Sequence, residues 1–251
     1  MTDDYAALAP VYDRLGLSGF AEIVTPQIIA FAQAQDWAGR RVVDLGCGTG
    51  ASVRWLTANK FSTVGIDLSS AMLTLAQKSI ASSGVGLRWL QGDMRALDDL
   101  HDIDLVLSLD TLNELNSLRD LEMVFGAVFK ALAPGKLFVF DLHTIEGLAQ
   151  RTPLSYMLDT DDLTVLRAEE FDHERLANIA QYTVFERAGY LWRRWSATRT
   201  LRGFPIQVVN ALLGRAGFGI MALMTEQMQQ FDPTAMRAGR VVFFAQKPES
   251  V

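Results

Sequence analysis

The chain holds 251 residues, 49% apolar and 21% charged, the make-up of a globular protein of one large or two small domains. A net charge of −6 works against polyphosphate partners, which need a basic footprint, and the single cysteine, Cys47, excludes an intrachain disulfide. No apolar run reaches the ~18 residues of a membrane span, and the acidic opening Met1-Thr2-Asp3-Asp4 is unlike a signal peptide, so the expected setting is the cytoplasm, away from membranes and nucleic acid.

In chain order, Val42-Val43-Asp44-Leu45 predicts a strand ending next to an acid, followed by Gly46, Gly48 and Gly50 at alternate positions. Glycine there permits backbone angles that a Cβ forbids and lets the main chain press against a ligand. A helix is expected from about Ala51 to Asn59, so the loop offers free N–H groups and a helix N-terminus to a nucleotide or carboxylate. Ser62 to Asp67 predicts the second strand, and Ser69 caps a helix that turns Met72, Leu73, Leu75 and Ala76 inward. Gly86 to Leu90 and Ile103 to Leu109 predict the third and fourth strands. A helix from Leu118 to Leu132 is expected to stop at Pro134-Gly135, with a fifth strand over Leu137 to Leu142. Ile206 to Arg215 predicts a helix ended by Gly217, and Val241 to Ala245 a last strand. The alternation of strands and helices implies βαβ units and a parallel sheet.

Between about Arg151 and Pro205 that rhythm breaks. Gln181 to Arg187 and Tyr190 to Leu201 are rich in β-branched and aromatic residues, and Ala188-Gly189 predicts a hairpin turn between them. Eight arginines there are balanced by eight acids, which argues against a nucleic-acid surface. The aromatic content suits a cover for an organic ligand. The expected organisation is one domain over 1–251, a helical leader over 1–35 and an antiparallel insert over 151–205 acting as a lid.

The glycine loop also satisfies a dinucleotide fingerprint, through Gly46, Gly48 and Ala51 with Asp67 about 20 residues on. Three features argue against that reading: the third glycine, Gly50; the carboxylate of Asp44 where a pyrophosphate would be repelled; and a further acid, Asp93, after the third strand. A cationic sulfonium ligand tolerates this ring of acids.

The stretch Val42 to Gly50, with Gly65-Ile66-Asp67-Leu68-Ser69 and Gly92-Asp93-Met94, resembles the class I S-adenosylmethionine-dependent methyltransferases over about residues 40–142. The resemblance implies a Rossmann-like, seven-stranded, mostly parallel sheet with an antiparallel last strand, and S-adenosylmethionine as cofactor with S-adenosylhomocysteine as product. It implies that Gly46, Gly48, Thr49 and Gly50 pass the methionyl part and that Asp44 helps hold its amino group. Asp67 takes both ribose hydroxyls, with Leu68 beside it and Met72 near the adenine. Asp93 accepts from the adenine amino group, and Met94 adds backbone and apolar surface. Leu109 and Asp110 lie beside the sulfonium and Asn113 near the transferred methyl. Tyr5 to Leu15 resembles the leader of small-molecule methyltransferases, which implies Tyr12 at the cofactor and Tyr5 at the acceptor entrance; Asp13 reads as a helix cap or surface charge. The Asn/Asp-Pro-Pro-Tyr/Phe signature of adenine and glutamine methylation is missing.

Methyl transfer from a sulfonium is an in-line displacement that chiefly needs alignment and exclusion of water, so no fixed catalytic residue is required. Weak candidates are Asp110, Asn113 and His143, the last as a general base. Tyr5, Asn113, His143, Tyr190 and Trp192 are the candidate acceptor contacts. Three scattered histidines and one cysteine give no metal-ligand spacing. The expected reaction is methylation of an N or O nucleophile on a small-molecule acceptor. A tRNA or protein methyltransferase and a non-catalytic S-adenosylmethionine-binding protein are the alternatives.

Overall fold

The computed structural model describes residues 4–80, 86–151 and 153–249; residues 1–3 of the expected leader and Thr152 of the expected insert lie outside these. The chain opens with α1 (Asp4–Leu8), a 3-10 turn (Ala9–Val11) and α2 (Gly19–Ala34). It then alternates through β1 (Arg41–Leu45), α3 (Ala51–Ala58), β2 (Ser62–Asp67), α4 (Ser70–Ser79), β3 (Leu87–Gln91), β4 (Ile103–Ser108), α5 (Leu118–Ala131) and β5 (Leu132–His143). After α6 (Ile145–Ala149) come β6 (Leu154–Asp159), β7 (Leu163–Asp172), β8 (Ala177–Ala188) and β9 (Leu191–Arg202). The chain closes with α7 (Ile206–Ala216), β10 (Gly219–Thr225) and β11 (Arg240–Gln246).

The main sheet has seven strands in the order β10-β11-β5-β4-β1-β2-β3. β1 lies between β2 and β4, parallel to both, with Val43 opposite Val64 and Val106. β11 is antiparallel to both of its neighbours, as expected for the last strand. Strands covered on both faces read as continuous apolar runs, and residue parity sorts them into two core layers. Val43, Leu45, Val106, Phe138, Phe140 and Phe243 pack with α5 and α7. Val42, Leu105, Leu107, Val139, Val242 and Phe244 pack with Val24, Ile28 and Ile29 of α2. Local signals set the helix ends: Ser69 Oγ accepts from Met72 N at 3.5 Å, Ser117 Oγ from Asp120 N at 3.2 Å, and Gly217, at φ +101°, closes α7.

One expectation is corrected. Pro134-Gly135 does not separate helix from strand: α5 ends at Ala131 and β5 already starts at Leu132, which pairs with Ile103 ahead of a register shift. The insert is antiparallel, as expected, and forms a four-stranded meander, β6-β7-β8-β9. Its β8–β9 hairpin turns through Gly189, at φ +67°, and Tyr190. One face buries Leu163, Val165, Ala180, Tyr182, Val184 and Ala197 against Leu8, Val11, Tyr12 and Leu15 of the leader and Met72 of α4. Trp195 Nε1 donates to the Ala7 carbonyl at 2.9 Å. The leader is thus clamped between the meander and the main sheet. Among the described residues no helix is long and apolar enough to cross a membrane.

Candidate active site

The glycine loop leaves β1 at the carboxyl edge of the sheet, where ligands of open α/β folds sit. Gly46 and Cys47 donate to the Ile66 carbonyl at 2.8 and 3.0 Å, so the loop bends over the end of β2. A Cβ on Gly46 would lie 2.3 Å from the Thr111 side chain, so the loop packs directly on the segment after β4. Gly48 has φ +53°, and a Cβ there would meet nothing within 4 Å. That is the open side of the loop. Gly48 N–H donates to Asp67 Oδ2 at 2.8 Å, and Ser69 N–H to Asp67 Oδ1 at 2.8 Å, so the β2 carboxylate is held firmly at the loop.

Asp44 is 3% exposed. Burial, with the neighbouring Asp67 charge, pushes its carboxyl up to about 8. Among the described residues no hydrogen bond reaches that carboxylate, an arrangement that costs free energy unless a cation arrives. Thr49, also buried, donates from Oγ1 to Asp13 Oδ1 at 2.6 Å. Asp13 is a surface residue, as expected, and its carboxylate also ties the leader to the glycine loop. Tyr12 is buried, its ring 6.3 Å from that of Tyr5, and burial raises its phenol above the ordinary range.

At the end of β4 a buried ion network begins that no local motif announces. Asp110 takes φ +54°. Its Oδ2 meets Arg199 Nη2 at 3.1 Å, and its Oδ1 meets Arg240 Nη2 at 2.9 Å and His143 Nε2 at 3.1 Å. Burial opposes ionisation, yet the two guanidiniums hold Asp110 well below the usual carboxylate range. Arg240 also stacks 3.8 Å from the Phe20 ring centroid and reaches Asp141 at 3.1 Å. Burial raises Asp141 to about 6 against that pull. Arg199 Nε donates to Glu114 Oε1 at 2.8 Å, and the Tyr5 hydroxyl donates to the same oxygen. Leader, β4 segment and insert thus meet on two acids, Asp110 and Glu114.

His143 sits inside this network as a neutral imidazole. Burial lowers it to about 4, and its Nε2 faces Arg151 Nη2 at 2.9 Å and Arg240 Nη2 at 2.6 Å. With Nε2 crowded by two guanidiniums and the Asp110 carboxylate, the ring is already engaged within the protein, which speaks against His143 as a base. Asn113 is also engaged: Nδ2 donates to the His143 and Arg202 carbonyls at 3.1 and 2.7 Å, and Oδ1 accepts from His143 N at 2.8 Å. It staples three backbone segments and presents nothing to a methyl group.

Other expected contacts lie elsewhere. Tyr190 is fully exposed in the hairpin turn, and Trp192 is half exposed. Trp192 stands seven residues from Arg199, about 23 Å along a strand, and strand alternation puts it on the opposite face. Met72 has no exposed surface and packs between leader and insert, whereas Leu68 is 70% exposed. Leu109 is buried in the α2 layer. Asp93 is engaged by Arg95, whose Nε lies 2.9 Å from Oδ1 and whose Nη2 lies 2.5 Å from Oδ2, and Met94 packs partly buried on the α5 side of the sheet. Sequence reasoning missed Glu114, Arg151, Arg199 and Arg240 as site residues; only Asp110, on which Arg199 and Arg240 converge, was among the expected ones.

These features fit a cofactor that carries both an ammonium and a sulfonium: an unpartnered buried acid at Asp44, the carboxylate of Asp67 anchored at the loop, and an open face at Gly48. When bound, S-adenosylmethionine supplies an activated methyl group; the chain's own residues hold it, align the acceptor and exclude water. A methyltransferase-domain family matches residues 42–135. The putative methyltransferase YqeM of Bacillus subtilis is 30% identical over 98% of both chains. An S-adenosylmethionine-dependent methyltransferase from Clostridium acetobutylicum superposes with a TM-score of 0.83 at 21% identity, covering 97% of this chain and 99% of that one. CalS10 from Micromonospora echinaspora, described as an amino pentose methyltransferase and solved with S-adenosylmethionine bound, gives 0.70 at 22% identity over 90% and 91%. The sheet order and the acid-ringed glycine loop define a class I fold built around a sulfonium cofactor. With a full-length relative at this identity, the chain belongs to the S-adenosylmethionine-dependent methyltransferase family and is an enzyme of that class.

Proposed function

We propose that this methyltransferase acts on an N or O nucleophile of a small, partly apolar metabolite enclosed by the insert, the leader and the segment after β4, with the insert as its lid. The cofactor contacts in this reading are Asp44, Asp67, the glycine loop and Tyr12. One observation carries the acceptor assignment: the Tyr5 hydroxyl and Arg199 Nε converge on Glu114 Oε1 from the leader and the insert. Such a junction walls the end of β4 on two sides, which favours a small acceptor over a folded macromolecule. The acidic chain and the charge-balanced insert support the same reading, as does the likeness to CalS10, an amino pentose methyltransferase. Enclosure also fits the chemistry, since alignment of acceptor and sulfonium needs water kept out.

The test is release of S-adenosylhomocysteine when the enzyme meets a low-molecular-weight metabolite fraction, a tRNA fraction and a protein fraction. Release with the first alone is expected. Release with tRNA that falls steeply as salt rises would mark a nucleic-acid substrate, and release with the protein fraction a protein substrate; binding of S-adenosylmethionine without release in any fraction would leave a binding protein.

A further inference from the structure

We propose that Glu114 is a catalytic residue whose free carboxylate oxygen, Oε2, binds the methyl acceptor and takes its proton, and that the acceptor group is a protonated amine. This rests on the small-molecule reading above and names the chemical class of its substrate.

The geometry is that of one oxygen fixed and one presented. Oε1 accepts from Arg199 Nε at 2.8 Å and from the Tyr5 hydroxyl. Arg199 does not close a two-pronged pair with Glu114: its Nη2 turns to the Asp110 carbonyl and Oδ2, at 2.9 and 3.1 Å. Among the described residues Oε2 has no hydrogen-bond partner, and it is not one of the atoms sealed from solvent. The side chain is 24% exposed. A carboxylate serving only to neutralise Arg199 has no reason to leave one oxygen open. Held by an arginine and a tyrosine that themselves sit on packed elements, it is a preorganised acceptor of protons or hydrogen bonds.

Its surroundings select the partner. Arg151, Arg167, Arg199 and Arg240 are matched by Asp110, Glu114, Asp141 and Glu169 in the ion pairs of this region. An anionic acceptor group would meet guanidiniums already paired with these acids. An ammonium meets an open carboxylate oxygen. Proton affinities point the same way. Burial raises the Glu114 carboxyl, and removal from water lowers an alkylammonium from about 10. The two values approach each other, as general-base transfer requires. An aliphatic hydroxyl, near the ~15.7 of water, stays out of reach of any carboxylate.

In the step this implies, the ammonium N–H proton passes to Glu114 Oε2 and frees the nitrogen lone pair. The N–C bond to the methyl group forms as the C–S bond breaks. The sulfonium becomes a thioether, and Glu114 releases its proton to solvent. Tyr5 and Arg199 act as positioning residues.

The experiment incubates the enzyme with S-adenosylmethionine labelled in its methyl group and a low-molecular-weight metabolite extract, and locates the label by NMR and mass spectrometry. An N-methyl product is expected. Glu114→Gln keeps an oxygen for Tyr5 and Arg199 but sets an amide donor against the ammonium. It should lower kcat at least 100-fold and remove the acidic limb of the rate–pH profile, with cofactor affinity by calorimetry within threefold of the parent. Arg199→Lys, which keeps the charge but loses the fork, should reduce kcat less and retain that limb. A label on oxygen or carbon of a small product, or a Glu114→Gln enzyme within threefold of parental kcat, overturns the assignment while leaving a small-molecule methyltransferase. A label found only in retained macromolecules, or nowhere, overturns the small-molecule reading and this proposal with it.

Discussion

Thr49 Oγ1 donates a 2.6 Å hydrogen bond to Asp13 Oδ1, across 36 positions of sequence. The bond fastens the leader to the glycine loop, the two segments that the proposed site sets around the cofactor. A hydrogen bond to a charged acceptor contributes roughly 1.5–3 kcal/mol. Thr49→Val should therefore weaken S-adenosylmethionine binding about tenfold or more, with most of the change in the dissociation rate measured by stopped flow. An unchanged rate would mean that the leader plays no part in retention.

Asp44 predicts a pH dependence of binding with a definite sign. Its carboxyl is pushed up to about 8, so in the proposed site an incoming ammonium displaces a proton below that pH. Cofactor affinity should rise as pH increases through about 8, and calorimetry in buffers of different ionisation heat should detect proton release on binding. Because the folded pKa is raised, the folded state holds the extra proton between 3.8 and about 8. Stability of the ligand-free protein should then fall as pH climbs through that window. Asp44→Asn should flatten both trends.

His143 gives the opposite slope. Its folded value, about 4, lies below the unfolded 6.5, so the unfolded chain binds the extra proton between those limits. Its contribution is fully present above about 6.5 and is lost as pH falls towards 4, on the order of 3 kcal/mol in all. Denaturant titrations at several pH values should show a shallower acid loss in His143→Gln than in the parent. An identical acid loss in both would show that His143 is not held neutral.

Much of the fold was legible because its signals are local. Gly46, Gly48 and Gly50 announce a loop, Ser69 a cap and Gly217 a stop, each through its own backbone or the next turn. The ion network was not legible because Asp110, Arg199 and Arg240 lie 89 and 130 positions apart, and charge pairs of that span follow no sequence period. Lone arginines in an insert look the same whether solvated or buried. Trp192 was misjudged from composition, although counting in twos along β9 from Arg199 would have set it on the outer face. Pro134-Gly135 looked like punctuation but lies within a strand, because pairing of Leu132 with Ile103 extends β5 past the usual breaker.

Asn113 is predicted to matter for stability and not for chemistry. It satisfies the backbone of His143 twice and that of Arg202 once, in a place where water is excluded. Each orphaned buried group costs about 1–3 kcal/mol. Asn113→Ala should lower the unfolding free energy by roughly 2–4 kcal/mol, read from urea denaturation, while cofactor affinity well below the melting temperature stays within a few-fold. A fully stable variant with abolished turnover would return Asn113 to the reacting centre.

The most direct test of the cofactor site is calorimetric titration of the parent and Asp67→Ala with S-adenosylmethionine and with NAD, after confirming that both proteins fold. Asp67 is held by Gly48 N–H and Ser69 N–H beside the glycine loop, where the proposed site places the ribose hydroxyls. The parent should bind S-adenosylmethionine and not NAD, and Asp67→Ala should bind it at least tenfold more weakly. Equal affinity in parent and variant, or tight binding of NAD by the parent, would contradict the site described above.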